Sequence, residues 1–427
     1  MRIDGVKLIT SWSIAVFLLG CPMSVRAQDW YRTQEQLAKR GATVTVVYGG
    51  TVFSELDGGP GRGNTYSGNL NLQLSIDGER LFGRSGLTMF VDGLWIHGGQ
   101  PSRLLGDAQG VSNLSAPSKI TLYEAWLQYN VFDNRFSVLA GRYDLNAEFY
   151  HVQAAGLFLN SSFGIGPEFS GSGVEGPSIF PDTSIGVRLA VKPAPNVVLR
   201  GAVLDGVPID RPEGSIGAFK RGDGLLLVSE AALLNRTARG DQTGKVRFRI
   251  GRASGLPPYD DKVAVGGWYY TASFDDLNNV DSKGTPVQHQ GSSGVYVLGD
   301  ATLLRSKVDS RRRIAGFVES GLGDGRVNRF SRYLGVGVVA GGPLSKRPTD
   351  ELGLALAIAH NGSGFLAHQR RVGVRANGSE TAIELTYLAQ IASWLAVQPD
   401  FQYVIHPNTD PLVRNGRALQ LRFETTF

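Results

Sequence analysis

Residues 69–77 read NLNLQLSID. Leu70, Leu72, Leu74 and Ile76 fall on one parity; Asn69, Asn71, Gln73, Ser75 and Asp77 fall on the other. A period of two marks a β-strand with one apolar and one polar face. The same pattern recurs outward from this stretch. In 183–192, Ile185, Val187, Leu189 and Val191 oppose Ser184, Arg188 and Lys192. In 380–391, Ile383, Leu385, Tyr387, Ala389 and Ile391 oppose Glu384, Thr386 and Gln390. In 394–405, Leu395, Val397, Phe401, Tyr403 and Ile405 oppose Gln398, Asp400 and Gln402. The last residues set Leu419, Leu421, Phe423 and Phe427 against Gln420, Arg422, Glu424 and Thr426.

Soluble sandwiches also alternate, so strand length and number must decide. Strand-like segments lie near 43–53, 65–77, 85–97, 120–132, 135–144, 183–192, 196–206, 222–232, 243–253, 263–274, 292–303, 312–322, 331–341, 351–360, 380–391, 394–405 and 417–427. Most have about ten residues, the length of a tilted transmembrane strand, where soluble strands have about five or six. Bacterial barrels alternate short periplasmic turns with long outer loops and have an even strand count. Setting 243–253 aside restores both rules, although 245–250 alternates well. The long connections are then 54–64, 98–119, 145–182, 207–221, 275–291, 323–330, 361–379 and 406–416. The expected fold is an all-β, transmembrane antiparallel β-barrel of sixteen strands over 43–427. Both ends are periplasmic, with an excursion at 233–262. Segment 28–42 should carry a short periplasmic helix stopped at Gly41.

Composition agrees. No segment after the leader holds 18 uninterrupted apolar residues, which excludes a membrane-spanning helix but not a barrel. Glycine supplies 56 of 427 residues without a three-residue period, which excludes collagen. The only cysteine, Cys21, precludes a disulfide scaffold or a thiolate metal site. The first 27 residues carry Arg2 and Lys7, an apolar run from Leu8 to Gly20, and Val25-Arg26-Ala27 before a cleavage point. They read as a secretory signal peptide. A competing lipoprotein reading would lipidate Cys21, but Leu19 and Pro22 fit that motif poorly. Removing Arg2, Lys7, Arg26 and Asp4 with the leader lowers the net charge from +5 to +3. Without a concentrated basic patch, nucleic acid is not an expected partner.

Several stretches together resemble the carbohydrate-selective porin family (OprB type). They are GGPGRGNTYSGNLNLQLSIDGERLFG (58–83), LYEAWLQYNVFDNRFSVLAGRYDLNAEF (122–149), SIGVRLAVKPAPNVVLRGAVLDG (184–206), VGGWYYTASFDD (265–276) with GVYVLGDATLL (294–304), and the C-terminal PDFQYVIHPN…ALQLRFETTF (399–427). Residues 236–262 depart from the pattern. The resemblance implies a sixteen-stranded outer-membrane barrel that admits sugars by passive diffusion, with no cofactor. It leaves the particular sugar, or another small solute, open. A terminal aromatic strand ending on Phe427 resembles the signal read by the barrel assembly machinery.

If apolar side chains face lipid, their alternates line the lumen: Glu124, Trp126, Arg188, Lys192, Arg200, Glu230, Asp300, Arg313, Glu319, Glu384, Asp400 and Arg422. Arg142 joins them, although both faces of its strand are mixed. A wet channel holds such charges, whereas a dry core would bury them at several kcal/mol each. Arg beside Glu, with Trp126 nearby, supplies the hydrogen bonds and aromatic face that a sugar path needs. The 145–182 connection is long enough to be functional. Its Phe149, Tyr150, His151, Phe158, Asn160 and Phe163 are candidates for a constriction; a surface lid is the alternative. Tyr48, Phe53, Tyr129, Phe132, Trp268, Tyr270, Phe274, Tyr403 and Phe427 lie near strand ends, as an interfacial girdle would.

Other chemistries fit less well. GGPGRGNT (58–65) has Asn64 where a phosphate loop needs Lys. Gly335–Ala340 matches a dinucleotide fingerprint but sits inside a strand. The histidines have no metal spacing. A barrel hydrolase would need a triad such as His360 with Ser393 or Ser331, and nothing singles these out.

Overall fold

The computed structural model describes residues 32–208, 219–220, 222–235, 261–309, 312–344 and 346–427. The leader, Cys21 and segment 243–253 lie outside the described residues. A helix over 32–39 precedes the sheet and ends at Gly41 (φ +90°), where a Cβ would meet the Arg80 Cβ at 2.7 Å.

Sixteen strands follow: β1 (Ala42–Asp57), β2 (Gly63–Asp77), β3 (Leu87–Gly98), β4 (Lys119–Val131), β5 (Phe136–Tyr143), β6 (Ser184–Ala194), β7 (Val197–Asp205), β8 (Leu225–Asn235), β9 (Asp261–Val280), β10 (Pro286–Arg305), β11 (Arg313–Gly323), β12 (Phe330–Gly341), β13 (Glu351–Asn361), β14 (Ser379–Ala392), β15 (Leu395–Ile405) and β16 (Gly416–Thr426). Each pairs antiparallel with its sequence neighbour, and β1 pairs with β16, so the sheet closes into a barrel with no free edge. Among the described residues no helix is long and apolar enough to cross a membrane.

Burial is inverted relative to a soluble domain. Leu72 is 57% exposed while its neighbour Asn71 is 1% exposed. Val187, Leu189, Leu199, Val265, Val297, Leu354, Leu385 and Leu421 are likewise exposed, while Arg188, Glu230, Glu384, Gln402 and Gln420 are buried. In most strands the apolar parity therefore points outward and the polar parity inward, as expected; β3 and β8 are exceptions, since Phe90, Leu94 and Ile96 and Leu226, Val228 and Leu234 face inward and pack there. One strand changes phase. In β4 the register shifts between Asp92/Gly93 of β3, so Ile120 and Leu122 point outward before the bulge, and Leu127 and Tyr129 after it.

Two expectations need correction. β9 and β10 each run 20 residues, so the expected 275–291 loop shrinks to a turn closed by Asp281 N donating to Thr285 O at 2.8 Å. Beyond the membrane both faces of a strand meet water, so alternation fades although pairing continues. Three of the proposed girdle aromatics, Phe53, Trp268 and Tyr270, face the lumen and are buried there. Tyr129, Phe132 and Phe427 remain exposed at the short-turn end.

Candidate functional site

The 144–183 connection does not project from the barrel; it folds into the lumen. Asp144 starts it by accepting from Asn146 N at 2.8 Å, and Asn160 makes the same kind of cap to Ser162 N at 3.1 Å. Phe149, Tyr150, His151, Phe158, Asn160 and Phe163 are all buried. A loop inside a barrel must find acceptors for its backbone N–H groups. The wall supplies carboxylates. Glu230 accepts from Tyr150 N (3.1 Å), and Asp300 from Gln153 N (2.9 Å) and Ala154 N (3.1 Å). Glu384 accepts from Leu159 N (2.6 Å) and Asn160 N (2.9 Å). These anchors lie on β8, β10 and β14, so the loop crosses the lumen.

Most of the expected lumen residues are drawn into this arrangement. Arg188 Nε and Nη2 donate to the two carboxylate oxygens of Glu148, in the loop, at 2.6 and 3.0 Å. Arg188 also reaches Gln128 Oε1 (2.9 Å) and Ser137 Oγ (2.8 Å). Arg200 faces its cross-strand partner Glu230 at 3.2 Å. Glu124 accepts from Trp126 Nε1 (3.0 Å) and Asp144 N (3.2 Å). Glu319 is buried on β11, on the lumen parity. Lys192 and Arg313 share the inward parity but sit towards the short-turn end, away from the loop. Arg142 is a correction. It pairs with the outward-facing Ile185, and its Nε donates to Thr183 Oγ1 at 3.0 Å. Its strand carries no clear polar face, which is why parity alone misplaced it.

Sequence reading missed three participants. Lys262 is buried beside Glu230, with Nζ 3.1 Å from Glu230 Oε1 and donating to His151 O at 2.8 Å. It falls at the edge of the segment set aside as an excursion, although it opposes Val263 in the usual way. Glu148 lies in the loop and has no periodicity to mark it. The 99–118 connection also folds inward, burying Leu105, Val111 and Leu114. Gln402 and Gln420 donate to Val111 O, each at 2.9 Å, and Glu380 accepts from Ala108 N (2.8 Å) and Gln109 N (2.9 Å). Its apolar residues, in a loop of that length, are the signal that was available. Burial holds the Asp107 carboxyl above its ordinary range and pushes that of Glu168, in the 144–183 loop, up to about 7.

The infolded loops leave an opening on the β2–β4 side. A cavity of about 320 Å³ is lined there by Asn69, Asn71, Asn113, Tyr123, Asp144 and Asn146, among others. Just beside it, Asn71 Nδ2 and Gln73 Nε2 donate to Asp92 at 2.9–3.1 Å. Among the described residues no His, Cys, Asp and Glu cluster is arranged to hold a metal.

A closed barrel with a charged lumen narrowed by its own loops is a channel architecture, and comparison with known proteins agrees. The family model described as carbohydrate-selective porin, OprB family, matches residues 61–427. The chain belongs to the OprB family of carbohydrate-selective porins. Porin B of Pseudomonas aeruginosa is 23% identical over 434 residues, covering 93% of this chain and 90% of that protein. The high-pH structure of Pseudomonas putida OprB superposes with a TM-score of 0.78 at 20% identity, over 93% of this chain and 97% of that one. The low-pH structure of the same protein gives 0.56 at 17% identity, with the same coverage. The outer-membrane channel DcaP of Acinetobacter baumannii gives 0.51 at 12%, over 91% and 98%. As an OprB-family member the protein is an outer-membrane porin that carries carbohydrates, a channel and not an enzyme. By the general rule for such barrels, the end that carries the 99–118, 144–183 and 362–378 connections is the extracellular one and the opposite end is periplasmic.

Proposed function

We propose that sugars enter through the β2–β4 side of the lumen and are selected where the 144–183 loop narrows it. The observation that carries this reading is the 320 Å³ cavity between loop and wall. It lies within the roughly 300–1,000 Å³ range of small-molecule sites. Its lining combines carboxamides, Asp144 and the Tyr123 ring, which suits a neutral solute carrying many hydroxyls and one apolar ring face. The arginines act one step back. Arg188 and Arg200 hold the loop through Glu148 and Glu230, and so set the width of the path. Phe149, Tyr150 and Phe158 then serve as the packed body of the constriction. Lys192 and Arg313, towards the periplasmic end, would meet the solute on exit.

Single-channel recording in planar bilayers with a panel of sugars tests this. Stepwise conductance blocked by at least one sugar is expected. Asn71→Trp should reduce that block and the permeation rate, whereas Arg313→Ala should alter conductance only slightly. Conductance without block by any sugar would favour a general small-solute pore. Two further partners belong to the same reading: outer-membrane lipid on the apolar parity, and the barrel assembly machinery at the strand ending in Phe427.

A further inference from the structure

One sector of the outer wall is not a plain apolar surface. Gly299 of β10 and Gly316 of β11 lie on the outward parity, beside the exposed Val318 and Leu303. With Val336, Val338 and Leu354 they line a groove of about 710 Å³ that faces the lipid. On the same strands, towards the extracellular end, Arg332 of β12 pairs directly with His360 of β13. Both are exposed and both follow the outward parity, above Leu334 and above Leu352 and Leu354. Each stands four residues from the groove, Arg332 from Val336 and His360 from Leu356, or roughly 13 Å along a strand. Their other register neighbours, Leu322 and Ser379, carry no charge. Neither side chain has an ion-pair or hydrogen-bond partner among the described residues.

An unpaired cation on the lipid side of a barrel is costly at mid-membrane and tolerable only near the interface. The two cation-bearing strands lead straight down to a cleft that two glycines leave open. We propose that this face binds a phosphorylated glycolipid of the outer leaflet, with a phosphate on Arg332 and His360 and an acyl chain in the Gly299–Gly316 groove. Arg332 supplies a charge that pH does not remove, and an imidazole N–H donates to a phosphate oxygen in either protonation state. The groove offers the chain an apolar channel whose walls are Val and Leu. Arg326, at the neighbouring β11–β12 turn, takes no part, because Asp324 holds it at 2.7 Å.

The test uses the whole protein, purified in mild detergent, stripped of lipid and examined by native mass spectrometry. It is incubated with a bisphosphorylated, acylated diglucosamine lipid, with the same lipid after phosphatase treatment, or with phosphatidylglycerol. Preferential retention of the phosphorylated glycolipid is expected. Retention should fall about thirtyfold in Arg332→Ala/His360→Ala, since two basic groups near a headgroup, each contributing on the order of 1 kcal/mol, are removed together. Gly316→Leu, which fills the groove and leaves both cations, should also lower it. Sugar block of conductance should be unchanged in each variant and shows that the barrel is intact. Undiminished retention by the double variant, or equal retention of phosphatidylglycerol or of the dephosphorylated lipid, overturns the proposal. Undiminished retention by Gly316→Leu overturns the groove as the acyl site.

Discussion

Asn71 and Leu72 are adjacent in sequence and face opposite media. Leu72→Arg places a guanidinium against lipid and should cost about 2–4 kcal/mol if near the midplane. Asn71→Arg instead meets Asp92 and the vestibule, so stability should change little while conductance falls. Urea unfolding in lipid vesicles, with single-channel recording, separates the two; equal loss of stability would reverse the assigned facing. Glu230 illustrates a second kind of residue. It receives Arg200, Lys262, Tyr150 N and the Tyr296 hydroxyl. Glu230→Ala strands two buried cations, and such losses run to about 3–5 kcal/mol. The same unfolding experiment should show Glu230→Gln as the milder change. Facing was legible for Asn71 and Leu72 because one parity of β2 was apolar and the other polar, whereas Glu230 was marked only by its own charge on an otherwise apolar strand. Facing was not legible for Arg142, on a mixed strand, nor for Trp268 and Tyr270. An aromatic ring looks the same whether it meets lipid or an infolded loop. Phe169, from that loop, stacks on Trp268 with ring centroids 4.2 Å apart, and no periodicity links residues so distant.

At the scale of elements, all sixteen strands could be read, whereas the destination of the loops could not. Length marked 145–182 as functional, but a loop becomes a constriction only through partners on strands far away in sequence. Glu384 is one such partner, and β14 presents it to Leu159 N and Asn160 N. Glu384→Ala should loosen the loop, raising conductance and weakening sugar discrimination; unchanged currents would mean that the loop is held without it. The loop also carries a proton-sensitive contact. Tyr150 hydroxyl donates to Glu168 Oε1 at 2.8 Å, and the neighbourhood includes Glu319 and Tyr333. Burial raises the Glu168 carboxyl to about 7, so the folded loop binds this proton more tightly than the unfolded one. The resulting stability is present at low pH and is lost as pH rises from about 4.5 through 7. Current fluctuations from loop motion should therefore increase between pH 5 and 8. Glu168→Gln, which cannot ionise, should flatten that dependence. Glycine has a local role here as well, since a Cβ at Gly321 would lie 1.8 Å from Glu168 Oε1.

For the whole molecule, closure is the step on which everything else depends. Lumen polarity, loop anchoring and the lipid face all exist only if β1 finds β16, the most distant pair in sequence. The joint is regular from Val47↔Thr426 to Ser54↔Leu419 and ends with Val46 and Phe427 exchanging N–H···O bonds at 3.0 and 2.9 Å. The terminal ring is not needed for that exchange. It points outward, 54% exposed, and stacks on Trp394 at 6.2 Å. Backbone closure and the aromatic end are thus separable. If Phe427 serves the assembly machinery, Phe427→Ala should lower the amount of barrel inserted in cells, while urea-denatured chain refolded into detergent micelles recovers as well as the parent. If the ring is needed for closure itself, both yields should fall together. Heat-modified mobility on gels reports the folded fraction in each case. Deleting Phe427 gives the complementary result, since it also removes the exchange with Val46 and should impair refolding in vitro. Equal insertion of Phe427→Ala and parent in cells would remove the terminal aromatic from the assembly signal.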